Sequence, residues 1–157
     1  MDHEYAGICG ITKEELETQM SADVDALAAK MNQTRAQTLD ALREFYDGYH
    51  FAAQSPDIFN PYSLLNAMAA GCLDYYWFTS GTPTYLIEML KKFQVMPSDI
   101  GRCEADKFEF DVALGNMNSI LPILYQSGCI IIKGYDPETQ LFTLDIPNKE
   151  VQKALTW

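Results

Sequence analysis

The side chains best able to carry chemistry are gathered in Tyr46-Asp47-Gly48-Tyr49-His50-Phe51 and, shortly after, in Asn60-Pro61-Tyr62-Ser63. Asp47 could serve as a catalytic carboxylate, and the aromatics Tyr46, Tyr49, Phe51, Phe59 and Tyr62 could stack on a ligand. Asp47, however, falls where a helix is expected to end, against the negative pole of the helix dipole. A carboxylate is tolerated there only with a backbone N–H or a cation as partner. A local Asx-type bond that fixes the turn therefore outweighs a catalytic role, and core packing outweighs stacking for the aromatics.

The other candidates are thinner. The sequence contains neither G-x-x-x-x-G-K-[ST] nor G-x-G-x-x-G, so it offers no glycine-rich cradle for a phosphate. G-x-S-x-G is also missing, and Thr79-Ser80-Gly81-Thr82 reads as a loop into a capped helix. His3 and His50 form no H-x-x-x-H pair, so a metal site would need ligands assembled from distant residues. Glu14, Glu15 and Glu17 sit in a first helical turn, where the dipole accounts for them. Asp106, Glu109 and Asp111 lack a lysine at the D…[DE]-x-K spacing of metal-dependent nucleases. No residue is assigned a catalytic, cofactor-binding or metal-ligating role.

Composition narrows the classes further. A chain of 157 residues can form one domain or two small subdomains sharing a core. With 11 Lys and Arg against 22 Asp and Glu, the net charge is −11, which opposes any function resting on a broad basic surface such as nucleic-acid binding. Cys9, Cys72, Cys103 and Cys129 form no C-x-x-C pair and read as buried thiols in a reducing cytoplasm. No basic stretch leads into an apolar one at the amino terminus, and nowhere do eighteen apolar residues run together. Secretion and membrane spanning are not expected.

The elements that must position these residues are mostly helical. Thr12-Lys13-Glu14-Glu15 and Thr34-Arg35-Ala36-Gln37 carry the capping-box pattern, in which each side chain satisfies an orphaned backbone N–H. Between them, Ser21 to Met31 forms an Ala-rich helix. Leu39, Leu42 and Phe45 make an apolar stripe at helical spacing, and Gly48 ends that third helix. A polar loop from Phe51 leads to Asn60-Pro61, a capping amide with proline at the first helical position, and a fourth helix running to Ala70. Thr82-Pro83 repeats the device for a fifth helix, with Tyr85, Leu86, Met89, Leu90 and Phe93 on its apolar face. Lys107 to Val112 alternates as an edge strand would, and Asn118 to Gln126 reads as a short helix. Cys129–Tyr135 and Gln140–Ile146 form a hairpin around Asp136-Pro137-Glu138-Thr139, before a last helix from Pro147. The expected fold is mainly α: a helical lid-like bundle, residues 1–96, then a winged-helix-like unit, residues 97–157, with one β-hairpin at residues 129–146.

Six ordered segments resemble one family. They are Gly10-Ile11-Thr12-x-x-Glu15-Leu16, Phe45-Tyr46-Asp47-Gly48-Tyr49-x-Phe51, Phe59-Asn60-Pro61-Tyr62-Ser63-Leu64-Leu65, Tyr76-Trp77-Phe78-x-Ser80-Gly81, Leu124 to Ile130, and Tyr135 to Val151. Together they resemble the C-terminal part of the predicted AAA-ATPase-like family, common in Bacteroidetes and other anaerobes. Tyr46, Asp47, Gly48, Tyr49, Phe51, Asn60, Pro61 and Ser63 match its signature. The resemblance implies a P-loop ATPase core upstream, binding ATP and Mg, and a PD-(D/E)XK nuclease-like domain downstream. Both would be partners of this segment, which looks like an excised or truncated piece of the parent, and exposed interdomain surfaces could pair two copies of it. It also implies a non-catalytic lid or regulatory module in the cytoplasm. Lids of this kind often carry a residue that senses the γ-phosphate; Arg35, Arg43 and Arg102 have the charge for it, but none lies in a matched segment. The alternatives are a winged-helix nucleic-acid-binding domain and a protein-interaction domain that presents Tyr75-Tyr76-Trp77-Phe78.

Overall fold

Both capping boxes form and start the helical half. In the computed structural model, which describes residues 9–50, 56–79, 84–96, 100–101, 103–106 and 120–155, α1 is Lys13–Thr18. The Thr12 N–H donates to Glu15 Oε2 at 2.8 Å and the Glu15 N–H to Thr12 Oγ1 at 3.2 Å. α2, Ser21–Met31, ends on Asn32 in the left-handed conformation. α3, Arg35–Tyr46, opens on the Thr34–Gln37 box. α4, Pro61–Ala70, is capped by Asn60 Oδ1, which accepts from the N–H groups of Tyr62 and Ser63, and stops at Gly71 with φ +78°. Leu16, Val24, Leu27, Leu42, Tyr46, Phe59, Leu64 and Ala67 bury themselves together as the helical cluster.

The remainder builds a second cluster around a sheet. α5 is Tyr76–Thr79, α6 Thr84–Lys92, α7 Leu121–Gln126 and α8 Lys149–Leu155. β3, Cys103–Ala105, β4, Ile131–Asp136, and β5, Leu141–Asp145, form an antiparallel sheet in the order β3-β5-β4, with Leu144 of β5 facing Cys103 on one side and Ile132 on the other. Leu86, Leu90, Leu124, Ile130, Leu144, Val151 and Leu155 are buried in this sheet cluster. Asp136 organises the hairpin turn, its Oδ1 accepting from the Glu138 N–H at 2.9 Å and its Oδ2 from the Thr139 hydroxyl at 2.9 Å.

The expectation of a mainly α fold with one hairpin at residues 129–146 is corrected: the chain is mixed α/β, with antiparallel sheets of two and three strands. The second sheet pairs β1, Ile11–Thr12, with β2, Ile58–Phe59, in the register Ile11 opposite Phe59. Strands of two or three residues are too short for alternation to register in a sequence. Ile58-Phe59 ends what reads as a polar loop, and Cys103–Ala105 shows no pattern at all. The segments 51–55, 80–83, 107–119 and 156–157 lie outside the described residues. So, therefore, do Phe51, the Thr82-Pro83 cap, the expected edge strand and the start of the expected helix at Asn118.

The division placed between residues 96 and 97 abuts residues 97–99, which also lie outside the described residues. The two apolar clusters themselves part within α5: Tyr76 packs on the helical cluster and Trp77 on the sheet cluster. Of the cysteines, Cys129 is buried, but Cys9 and Cys72 are exposed, which corrects the reading of all four as buried thiols. Among the described residues no helix is long and apolar enough to cross a membrane.

Candidate functional site

The two clusters meet along a polar seam, and the signature residues lie on it. α3 leaves helical geometry at Asp47, whose backbone is extended with φ −83° and ψ −178°, and Gly48 follows at φ +96°. Asp47 Oδ1 accepts the Gly48 N–H at 2.8 Å. This is the local bond that its position at a helix end requires. Burial pushes the Asp47 carboxyl above its usual range, against the Gly48 N–H and the positive charges of Arg43 and Lys133, which pull it down.

From this turn the chain is tied in two directions. Tyr49 and Ile58 exchange backbone hydrogen bonds at 3.2 and 3.0 Å, and the Asn60 N–H donates to the Tyr46 carbonyl at 2.9 Å. The start of α4 is thereby fixed against the end of α3. On the other side, Asn148 Nδ2 donates to the Asp47 carbonyl at 2.9 Å, while Asn148 Oδ1 accepts the Val151 N–H at 3.1 Å and so caps α8. Gly48 lies so close to Pro147 that a Cβ there would overlap the Pro147 carbonyl oxygen.

Below the turn, Ser63 Oγ donates to Glu150 Oε1 at 2.9 Å, and the Trp77 backbone N–H donates to the same oxygen at 2.8 Å. Ser63 and Glu150 are both fully buried. The Tyr46 hydroxyl closes the far end: it donates to the Asp74 carbonyl at 2.8 Å and accepts the Asp74 N–H at 2.9 Å. Burial raises the titration of Tyr46 and Tyr49, and the Glu150 charge adds to it in both.

Seven of the eight signature residues, Tyr46, Asp47, Gly48, Tyr49, Asn60, Pro61 and Ser63, are thus brought into one junction; Phe51 lies outside the described residues. Asn148 and Glu150, which lie in the last of the six matched segments, join the junction as well, with no role expected of either from the sequence. A signal for Glu150 was present: it shares the buried face of α8 with Val151, Ala154 and Leu155, an acid at an apolar position of the helical repeat.

The described contacts of the junction hold α3, α4 and α8 together. His50 Nδ1 lies 3.1 Å from Asp57, away from Glu150 and Ser63 in the hydrogen-bond network. Arg35 is engaged by Asp25 at 2.6 Å and by the carbonyls of Ser21 and Glu17. Arg43 is engaged by Glu17 at 3.1 Å and Asp40 at 3.3 Å. A phosphate would have to displace these partners; Arg102 lies outside the described residues. Of the faint carboxylate cluster only Asp106 is described. Among the described residues no group of three or more His, Cys, Asp or Glu side chains could hold a metal ion. An open cleft of about 480 Å³ beside the seam is lined by Glu44, Asp145, Lys149 and Gln152 among others, and its lysine is already paired with Glu44.

No family model and no solved structure matches the chain. It is similar to a protein of Azotobacter chroococcum mcd 1 described as an "Uncharacterized protein in vnfD 5'region", with 27% identity over 161 residues. That similarity covers 99% of this chain and 28% of the relative, so the chain spans little more than a quarter of the relative's length.

Proposed function

We propose that the chain is a non-catalytic lid or regulatory module of a larger cytoplasmic ATPase of the AAA-ATPase-like type. ATP and Mg would be held by a P-loop core outside this segment, and a nuclease-like domain would follow it. The observation that carries the reading is the convergence of the family signature on a joint: Tyr46 to Tyr49, Asn60 and Ser63 bind α3, α4 and α8 to one another. Signature residues used to couple two packed clusters suit a part that transmits a state better than one that performs a reaction. The much greater length of the Azotobacter relative agrees with a module inside a longer protein.

Calorimetric titration of the isolated chain with a non-hydrolysable ATP analogue and Mg²⁺ tests the absence of a nucleotide site. No heat beyond dilution is expected, and a micromolar Kd would defeat the reading. In the gene, a G-x-x-x-x-G-K-[ST] segment is expected in frame upstream of the Met1 codon.

A further inference from the structure

α8 turns Glu150, Val151, Ala154 and Leu155 inward, so one acid stands on an otherwise apolar face. Its Oε1 receives the Ser63 hydroxyl and the Trp77 N–H, whereas Oε2 has no hydrogen-bond partner. Among the described residues no lysine, arginine or histidine makes an ion pair with it. The titratable groups that face it are Asp74 and the phenols of Tyr46, Tyr49 and Tyr76. Lys149, the cation next to it in sequence, points to solvent and is held by Glu44. An ionised carboxylate with one oxygen bare and no counter-charge is costly to bury, while the neutral acid is an ordinary buried polar group.

The Ser63 bond of Glu150 also crosses between the clusters, and the Trp77 bond holds α5, where the clusters part, to the same oxygen. Ser63 is buried in α4, the helix that gives Leu64 and Ala67 to the helical cluster, while Trp77 and Val151 pack in the sheet cluster. We propose that Glu150 is a proton-operated latch: with a proton on its carboxyl it closes the seam between the helical and sheet clusters, and loss of that proton loosens the seam. This stands on the seam geometry alone and is independent of the ATPase reading.

Burial is the largest influence on the titration of Glu150 and drives it upward, with Asp74 adding to it and the Trp77 N–H, the Ser63 hydroxyl and the Tyr76 N–H opposing it. The folded chain therefore keeps this proton at pH values where the unfolded chain has released it. The stability it contributes is complete below the ordinary glutamate range and is lost as pH rises through the folded-state value.

The test compares urea unfolding of the wild-type chain and Glu150→Gln from about pH 4.5 to about pH 8. The ratio of wild-type to variant folding constants should fall by up to roughly tenfold per pH unit and then level off. A ratio independent of pH overturns the proposal. Should Glu150→Gln fail to fold, the carboxyl of Glu150 can be titrated directly by carbon-13 NMR in the wild type. An inflection above that of a glutamate in an unfolded peptide is expected, and one at or below it overturns the idea. The latching itself is read from the backbone N–H of Trp77. Its hydrogen exchange should accelerate with pH more steeply than that of α2 amides in the same sample, and parallel acceleration would reduce Glu150 to a static contact.

Discussion

The interior of the helical cluster and the seam beside it are held by different physics. Inside the cluster, Leu16, Leu27, Leu42 and Leu64 are withdrawn from water almost completely, and the bonds that start its helices span only three residues. At the seam, the bonds that tie α8 to the rest span 73 to 105 residues, as between Trp77 and Glu150 or Lys149 and Glu44. Apolar burial is forgiving of direction, because the gain scales with area. A buried hydrogen bond such as that of Ser63 to Glu150 is not, because a displaced partner leaves a buried polar atom unpaired. The cluster should therefore lose stability in proportion to the atoms removed, and the seam in proportion to the geometry spoiled.

The largest effect is expected where the least is added. Gly48→Ala adds one methyl group at φ +96° and drives it into the Pro147 carbonyl, backbone against backbone. A loss of about 4 kcal/mol is expected, from strain and overlap together. Gly71→Ala is the control: its φ is +78°, but the atoms nearest the new Cβ belong to the Lys30 side chain, which can move aside. That variant should lose about 1 kcal/mol, the cost of the left-handed backbone alone. Urea unfolding of both variants measures the difference, and equal losses would mean that Gly48 serves only to end α3. Leu42→Ala, in the cluster interior, should come next at about 3 kcal/mol. If it exceeds Gly48→Ala, the seam is the softer of the two regions.

Ser63→Ala removes one hydroxyl from the seam and should cost about 2 kcal/mol, since the fully buried Glu150 loses a donor. The loss should be greater at high pH than at low pH, because the hydroxyl supports the charged form of Glu150 more than the neutral one. A loss that does not vary with pH would separate Ser63 from the titration of Glu150.

What the sequence revealed follows the same division. Thr12, Thr34 and Asn60 announce their helices because the bonds they make are local, and the stripe of Leu39, Leu42 and Phe45 follows from helical periodicity. The Tyr46 to Tyr49 block could be recognised as unusual, and its local Asp47 bond follows from helix-end electrostatics. Its partners could not be foreseen. Asn148 and Glu150 act across about a hundred residues of chain; the apolar repeat around Glu150 marks it as buried, but nothing near either residue names its partner. The short strands Ile58–Phe59 and Cys103–Ala105 were missed because pairing with distant partners, not a repeat of their own, makes them strands.

The smallest effect sets two buried hydroxyls against each other. Thr38 is fully buried in α3, inside the helical half, and its Oγ1 has no hydrogen-bond partner, whereas the equally buried Ser63 hydroxyl is bonded to Glu150. Thr38→Val exchanges that hydroxyl for a methyl group of nearly the same shape, removing a desolvation cost without opening a cavity. It should raise stability by about 1 kcal/mol, with the same dependence on pH as the wild type. The valine side chain also suits an apolar cluster, and its preferred χ1 is available in a helix. Urea unfolding at two pH values decides it. A loss of stability would show that the Thr38 hydroxyl is satisfied in solution and that polar bonds extend from the seam into the cluster, erasing the boundary between the two regions.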